Sequence, residues 1–82
     1  MEYKLTQHAS DAIEKRRISI EWVERILNKP DWTEPDALDE DLQHRLGSIK
    51  EFEERVLRVI INMKASPPRI VTAYFDRRSK KP

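Results

Sequence analysis

From Arg55 to Phe75 the chain reads RVLRVIINMKASPPRIVTAYF, two apolar runs separated by a polar break that contains Pro67 and Pro68. The first run is rich in Val, Ile and Leu, and the second holds Ile70, Val71, Thr72, Tyr74 and Phe75. Such β-branched and aromatic residues fit a pleated, half-buried surface. The break from Lys64 to Pro68 is short and its prolines cannot continue a central ladder, so an antiparallel hairpin is the simplest connection. Everything upstream must pair with this hairpin or cover it.

Period-2 alternation sorts the hairpin into faces. On the first strand Leu57, Val59, Ile61 and Met63 share the face expected to meet helices, and Val56, Arg58, Ile60 and Asn62 share the other. On the second, Ile70, Thr72 and Tyr74 form one set and Val71, Ala73 and Phe75 the other. If the second set is inward, Thr72 and Tyr74 stand beside Arg58 on an open sheet face, where Arg45 from the preceding strand is expected to join them.

Upstream, Tyr3 to Thr6 reads as a short extended lead-in. A helix is expected from Thr6 or Gln7 to about Arg17, with Ala9, Ala12 and Ile13 as its apolar stripe. A second begins after Ser19, a good N-cap residue, with Glu21 in its first turn, and ends before Pro30. Its expected buried stripe is Ile20, Val23, Ile26 and Leu27. Residues 31–36 read as an extended edge segment, Leu42 to Ile49 as a weakly apolar strand, and Lys50 to Glu54 as a charged turn. The expected fold is α+β, two N-terminal helices packed on one face of a three- to four-stranded antiparallel sheet, with residues 1–76 as the domain and 77–82 as a basic tail.

At 38% charged residues the chain has little apolar material to spare, and it holds no cysteine for disulfides or thiolate metal sites. Its single glycine excludes a Gly-rich phosphate loop. Two histidines without suitably spaced partners make no metal site, and no cofactor is expected. No run reaches the length of a bilayer span, and a cytoplasmic location is the default. Residues 1–41 carry 6 Lys/Arg against 11 Asp/Glu, a net −5, whereas residues 42–82 carry 10 against 4, a net +6. Such asymmetry suits a basic face for a phosphate backbone and an acidic face for something else.

Arg58 is the strongest single candidate, because a charge inside an apolar strand needs a partner or a purpose. The alternative to a functional role is an ion pair with an acid of segment 31–41. Tyr74 offers a ring for base stacking or a hydroxyl for proton donation. His8 and His44 offer groups that titrate near neutral pH.

The series His8-Ala9, Arg16, Ile18-Ser19, Trp22-Val23, Ile26 to Pro30, Leu57-Arg58-Val59 and Ile70 to Tyr74 resembles a small, largely uncharacterised bacterial and archaeal domain family. That family is similar to the RelE-like and ParE-like toxins, small proteins with helices packed on an antiparallel sheet. The chain departs from the family pattern at Ala12, where many relatives carry arginine, and at Arg17, where they carry glycine. The resemblance implies the toxin of a toxin–antitoxin pair, acting as a metal-independent endoribonuclease on messenger RNA. In that mechanism a base activates the ribose 2′-hydroxyl for attack on the adjacent phosphate while cations stabilise the developing charge. It implies His8, Arg58 and Tyr74 as catalytic residues and Arg16 and Thr72 as substrate-binding ones, and Arg45 joins the substrate-binding set from its expected place beside Arg58. The implied partners are RNA, free or on the ribosome, and a cognate antitoxin, with no membrane. A non-catalytic RNA- or protein-binding module of the same fold is the competing reading, and a toxin-fold protein with a target such as a topoisomerase is the third.

Overall fold

The computed structural model describes residues 1–80. Two helices and five strands follow in the order β1 (Lys4–Leu5), α1 (Gln7–Lys15), α2 (Ile20–Asn28), β2 (Trp32–Pro35), β3 (Leu42–Ile49), β4 (Arg55–Asn62) and β5 (Arg69–Phe75), with a 3₁₀ turn at Lys50–Phe52. The strands form one sheet in the order β1-β5-β4-β3-β2. The hairpin expected from the prolines is β4–β5, and β3 and β2 extend it antiparallel. β1 pairs parallel with β5, Lys4 opposite Arg69 and Leu5 opposite Ile70. The architecture is therefore α+β as expected, but the sheet has five strands and is mixed, not three or four antiparallel ones. Two residues carry no periodicity, which is why β1 reads only as a lead-in.

Both helices cover one sheet face. Ala9, Ile13, Ile18, Val23, Ile26 and Leu27 pack against Ile49, Leu57, Val59, Ile61, Ile70 and Ala73. The face assignment for Leu57, Val59 and Ile61 is thus the expected one, whereas Met63 lies beyond β4 and is exposed. Between Ile60 and Ile61 of β4 the register with β5 slips, so that Val71 has no matched partner. This irregularity turns Ile70 and Ala73 to the same inner face, a spacing of three that strict alternation does not allow.

Local chemistry fixes the helix ends. Thr6 caps α1, its Oγ1 accepting from the Ala9 amide at 3.1 Å, an arrangement that contributes roughly 1 kcal/mol. At the other end the Arg17 amide donates to Glu14 and the Ile18 amide to Ile13, the paired bonds of a Schellman motif. Arg17 supplies the left-handed residue this motif requires, at φ 54°. Ser19 is the N-cap residue of α2 but makes no side-chain cap bond. Ile20, the first residue of that helix, is 41% exposed, so the buried stripe is Val23, Ile26 and Leu27 without it. The end of the sheet under α2 is closed by Trp22, Phe52 and Phe75, with ring centroids 4.9 to 6.1 Å apart.

The single glycine marks a close approach. A Cβ on Gly47 would lie 2.5 Å from Cδ1 of Ile26, so α2 rests directly on the β3 backbone.

Candidate functional site

The register across β2, β3, β4 and β5 builds the face opposite the helices. Directly opposed residues of antiparallel strands project to the same side, so Trp32, Leu46, Arg58 and Tyr74 form one row across the sheet. Glu34, His44, Ile60 and Thr72 form the next. Arg58 sits at the centre, only 9% exposed.

Its guanidinium is bonded on all sides. Nη1 donates to Glu34 Oε1 at 3.1 Å and to His44 Nδ1 at 2.6 Å. Nε donates to Asp76 Oδ2 at 3.0 Å and Nη2 to Ser79 Oγ at 2.7 Å. Ser79 Oγ in turn donates to Asp76 Oδ2 at 2.8 Å, so the segment after β5 folds back over the open face. The alternative role for Arg58, an ion pair with an acid of segment 31–41, is the one realised through Glu34, with Asp76 as a second acid.

His44 completes the cluster. A guanidinium N–H can only donate, so Nδ1 of His44 accepts, and the ring proton resides on Nε2, which donates to Asp36 Oδ1 at 2.7 Å. Both ring nitrogens are therefore in use. Asp36 also accepts from the Leu38 and Asp39 amides, and Glu34 from the indole N–H of Trp32.

These bonds set the acidities. The His44 hydrogen bond, then the two loop amides, hold the Asp36 carboxyl below its ordinary value. The Trp32 indole, the largest effect, does the same for Glu34; burial opposes it, and the Arg58 bond adds to the lowering. Burial alone would raise Asp76, but bonds from Ser79, the Arg78 amide and Arg58 outweigh it and leave the carboxyl lowered. Burial disfavours the Arg58 charge, and the bonds to Glu34 and Asp76 more than compensate, raising its pKa. With His44 neutral, one cation faces the three carboxylates of Glu34, Asp36 and Asp76, a local charge of −2. Such a face, as it stands, does not attract phosphate.

The other expected site residues are dispersed. Thr72 and Tyr74 do share the open face with Arg58. Arg45 does not join them: it opposes Val59 on the inner face, where Nη1 donates to the Leu27 carbonyl at the end of α2 and Nε to Gln43 at 2.9 Å. The alternation of β3 is genuine, but the intervening turn hides which parity meets Arg58. His8 is exposed on α1, in the helical layer, whereas Arg58 projects from the other face of the sheet. Arg16 follows the same helix and donates from Nη1 to the Ala73 carbonyl at 3.3 Å. The cluster's missing members, Glu34, Asp36, Asp76 and Ser79, were visible in the sequence only as parts of charge runs. Among the described residues no group of three His, Cys, Asp or Glu side chains is arranged to hold a metal ion. No helix among them is long and apolar enough to cross a membrane.

The molecule is thus an α+β domain with two helices on one sheet face and a closed polar cluster on the other. The chain belongs to the family described as Domain of unknown function (DUF4258), which it matches over residues 5–75. No curated protein and no solved structure matches it.

Proposed function

We propose that this chain is an RNA-binding module with the layout of the RelE-like toxins that holds its ligand without cutting it, in the cytoplasm. The observation that carries this reading is the closure of Arg58, whose nitrogens are all occupied within the chain. A phosphate-stabilising arginine needs free donors beside a group able to move a proton; His44, the histidine beside Arg58, has both ring nitrogens engaged, and His8 lies in the other layer. Binding has cations at its disposal elsewhere. Lys15, Arg16 and Arg17 at the end of α1, and Arg77, Arg78 and Lys80 after β5, are exposed and in no ion pair among the described residues. Arg16 reaches the Ala73 carbonyl, so both groups flank the C-terminal end of β5. Clustered cations of this kind bind a nucleic-acid backbone in a salt-dependent manner.

The test is incubation of the purified protein with labelled single-stranded RNA, read both for retention and for fragments on a denaturing gel. Salt-dependent retention of intact RNA is the expected result. Fragments that disappear with Arg58→Ala, or growth arrest of a bacterial host relieved by that change, would overturn it. They would support the second reading, a metal-independent endoribonuclease toxin acting by 2′-hydroxyl attack and neutralised by a cognate antitoxin. What favours that reading is the shared open face of Arg58, Thr72 and Tyr74.

A further inference from the structure

The way Arg58 is closed is informative in itself. Nε and Nη2 form the side edge of a guanidinium, the fork that grips two oxygens of one carboxylate or phosphate. Here that edge is gripped by oxygens from two residues, Asp76 Oδ2 at 3.0 Å and Ser79 Oγ at 2.7 Å. The two oxygens are 2.8 Å apart and hydrogen-bonded to one another, comparable in spacing with two oxygens on one phosphorus. The opposite end of the guanidinium, Nη1, is held separately by Glu34 and His44 from the sheet. Arg58 therefore has a fixed end, bound to strands, and a fork end, bound to the segment after β5.

That segment is attached lightly. Among the described residues its backbone tie to the sheet beyond the fork is the Asp76 amide on the Val56 carbonyl at 2.9 Å, while the Arg78 amide on Asp76 Oδ1 at 2.9 Å holds the segment only to itself. The first of these bonds keeps the backbone at Asp76 in place even when the Asp76 side chain turns away.

We infer that the Nε–Nη2 edge of Arg58 is an oxyanion site, filled in the free chain by Asp76 and Ser79, and that a phosphodiester of bound RNA takes their place. The exchange is charge for charge, one phosphodiester anion for one carboxylate, and Glu34 and His44 continue to orient the guanidinium throughout. Displacement frees Arg77 and Arg78 to move with the segment and leaves Tyr74, the row neighbour of Arg58, beside the incoming nucleotide. The inference rests on the RNA-binding reading and adds the place of contact and its internal competitor.

A double-mutant cycle tests it, with affinity for labelled oligouridylate as the readout. Asp76→Ala with Ser79→Ala opens the fork while retaining Arg77 and Arg78. In the presence of Arg58 these changes should tighten binding about ten-fold, the effect of one charge-assisted contact. They should also steepen the dependence of log affinity on log salt by about 0.7, the increment for one phosphate on a single strand. With Arg58→Gln the same changes should gain about two-fold or less, from the lost carboxylate charge alone. Should Arg58→Gln fail to fold, as tryptophan fluorescence will reveal, Arg58→Lys keeps the charge, loses the fork and serves in its place with the same expectation. Equal gains in both backgrounds would overturn the inference while leaving RNA binding intact. Absence of binding by every variant would overturn the RNA-binding reading itself. In the unaltered chain, hydrogen exchange of the Arg78 amide should quicken when oligouridylate is added, and slowing would count against displacement.

Discussion

Replacing Arg17 by glycine should stabilise this protein. Arg17 is the residue after the α1 C-cap and has φ 54°, a conformation in which its Cβ crowds the following carbonyl. The Schellman bonds on either side, Arg17 amide to Glu14 at 3.1 Å and Ile18 amide to Ile13 at 3.0 Å, are backbone bonds that glycine leaves untouched. Ile13 and Ile18 both belong to the core, so the motif has no freedom to relax by unwinding. The left-handed conformation costs a residue with a Cβ roughly 1–2 kcal/mol. Glycine loses about 0.5–1 kcal/mol more backbone entropy on folding. The difference is a net gain of roughly 0.5–1 kcal/mol, or about 2–8 °C in Tm for a domain of this size. Urea unfolding followed by tryptophan fluorescence and circular dichroism measures it as a higher midpoint with unchanged slope. Arg17→Ala is the control, since it deletes the side chain but keeps the Cβ, and should change stability by less than about 0.5 kcal/mol. A neutral or destabilised glycine variant would refute the steric argument. An equal gain from alanine would locate the effect in charge repulsion with Lys15 and Arg16.

Two further outcomes follow from the bonds described. Arg45→Ala, which removes the donor to the Leu27 carbonyl, should cost about 1–2 kcal/mol in urea unfolding, with affinity for RNA altered less than about two-fold. Acidification should destabilise the fold: Glu34, Asp36 and Asp76 have lowered folded-state pKa values, so the stability they contribute is fully present above the unfolded value and lost as pH falls through the folded one. Tm measured against pH should therefore be level near neutrality and fall below about pH 4, and Glu51, which Arg25 holds at about 2, should add to the loss at the acid end of the range. A Tm that stays flat below that point would contradict the coupling of the Arg58 cluster to folding.

The parts legible in the sequence were those written in local pattern. The stripe Val23, Ile26 and Leu27, the stop at Pro30 and the inward set Leu57, Val59 and Ile61 follow from periodicity, and each is found in the structure. What periodicity does not encode is register between strands. Arg45 alternates correctly with His44 and Leu46, yet only the pairing of Leu46 with Arg58 determines that it points inward. The slip at Val71 likewise splits Ile70 from Thr72 and Tyr74, a grouping that strict alternation joins. Arg58 was marked by its setting, a charge among Val, Leu and Ile. Its partners were not, because Glu34, Asp76 and Ser79 come from a strand edge and a charged terminal segment whose approach is a tertiary event.

The pairing of the first strand with the last also orders the folding of the chain in time. Among the described residues β1 pairs with no strand other than β5, and α1 packs largely on that same strand. During synthesis the N-terminal segment therefore emerges long before the surface that will receive it, while β2, β3 and β4 can already form a meander with α2 across it. Local pairs form quickly and distant ones wait on chain closure. Residues 69–75 act as the keystone: until they are made, β1 lacks its partner strand and α1 the strand on which it chiefly packs.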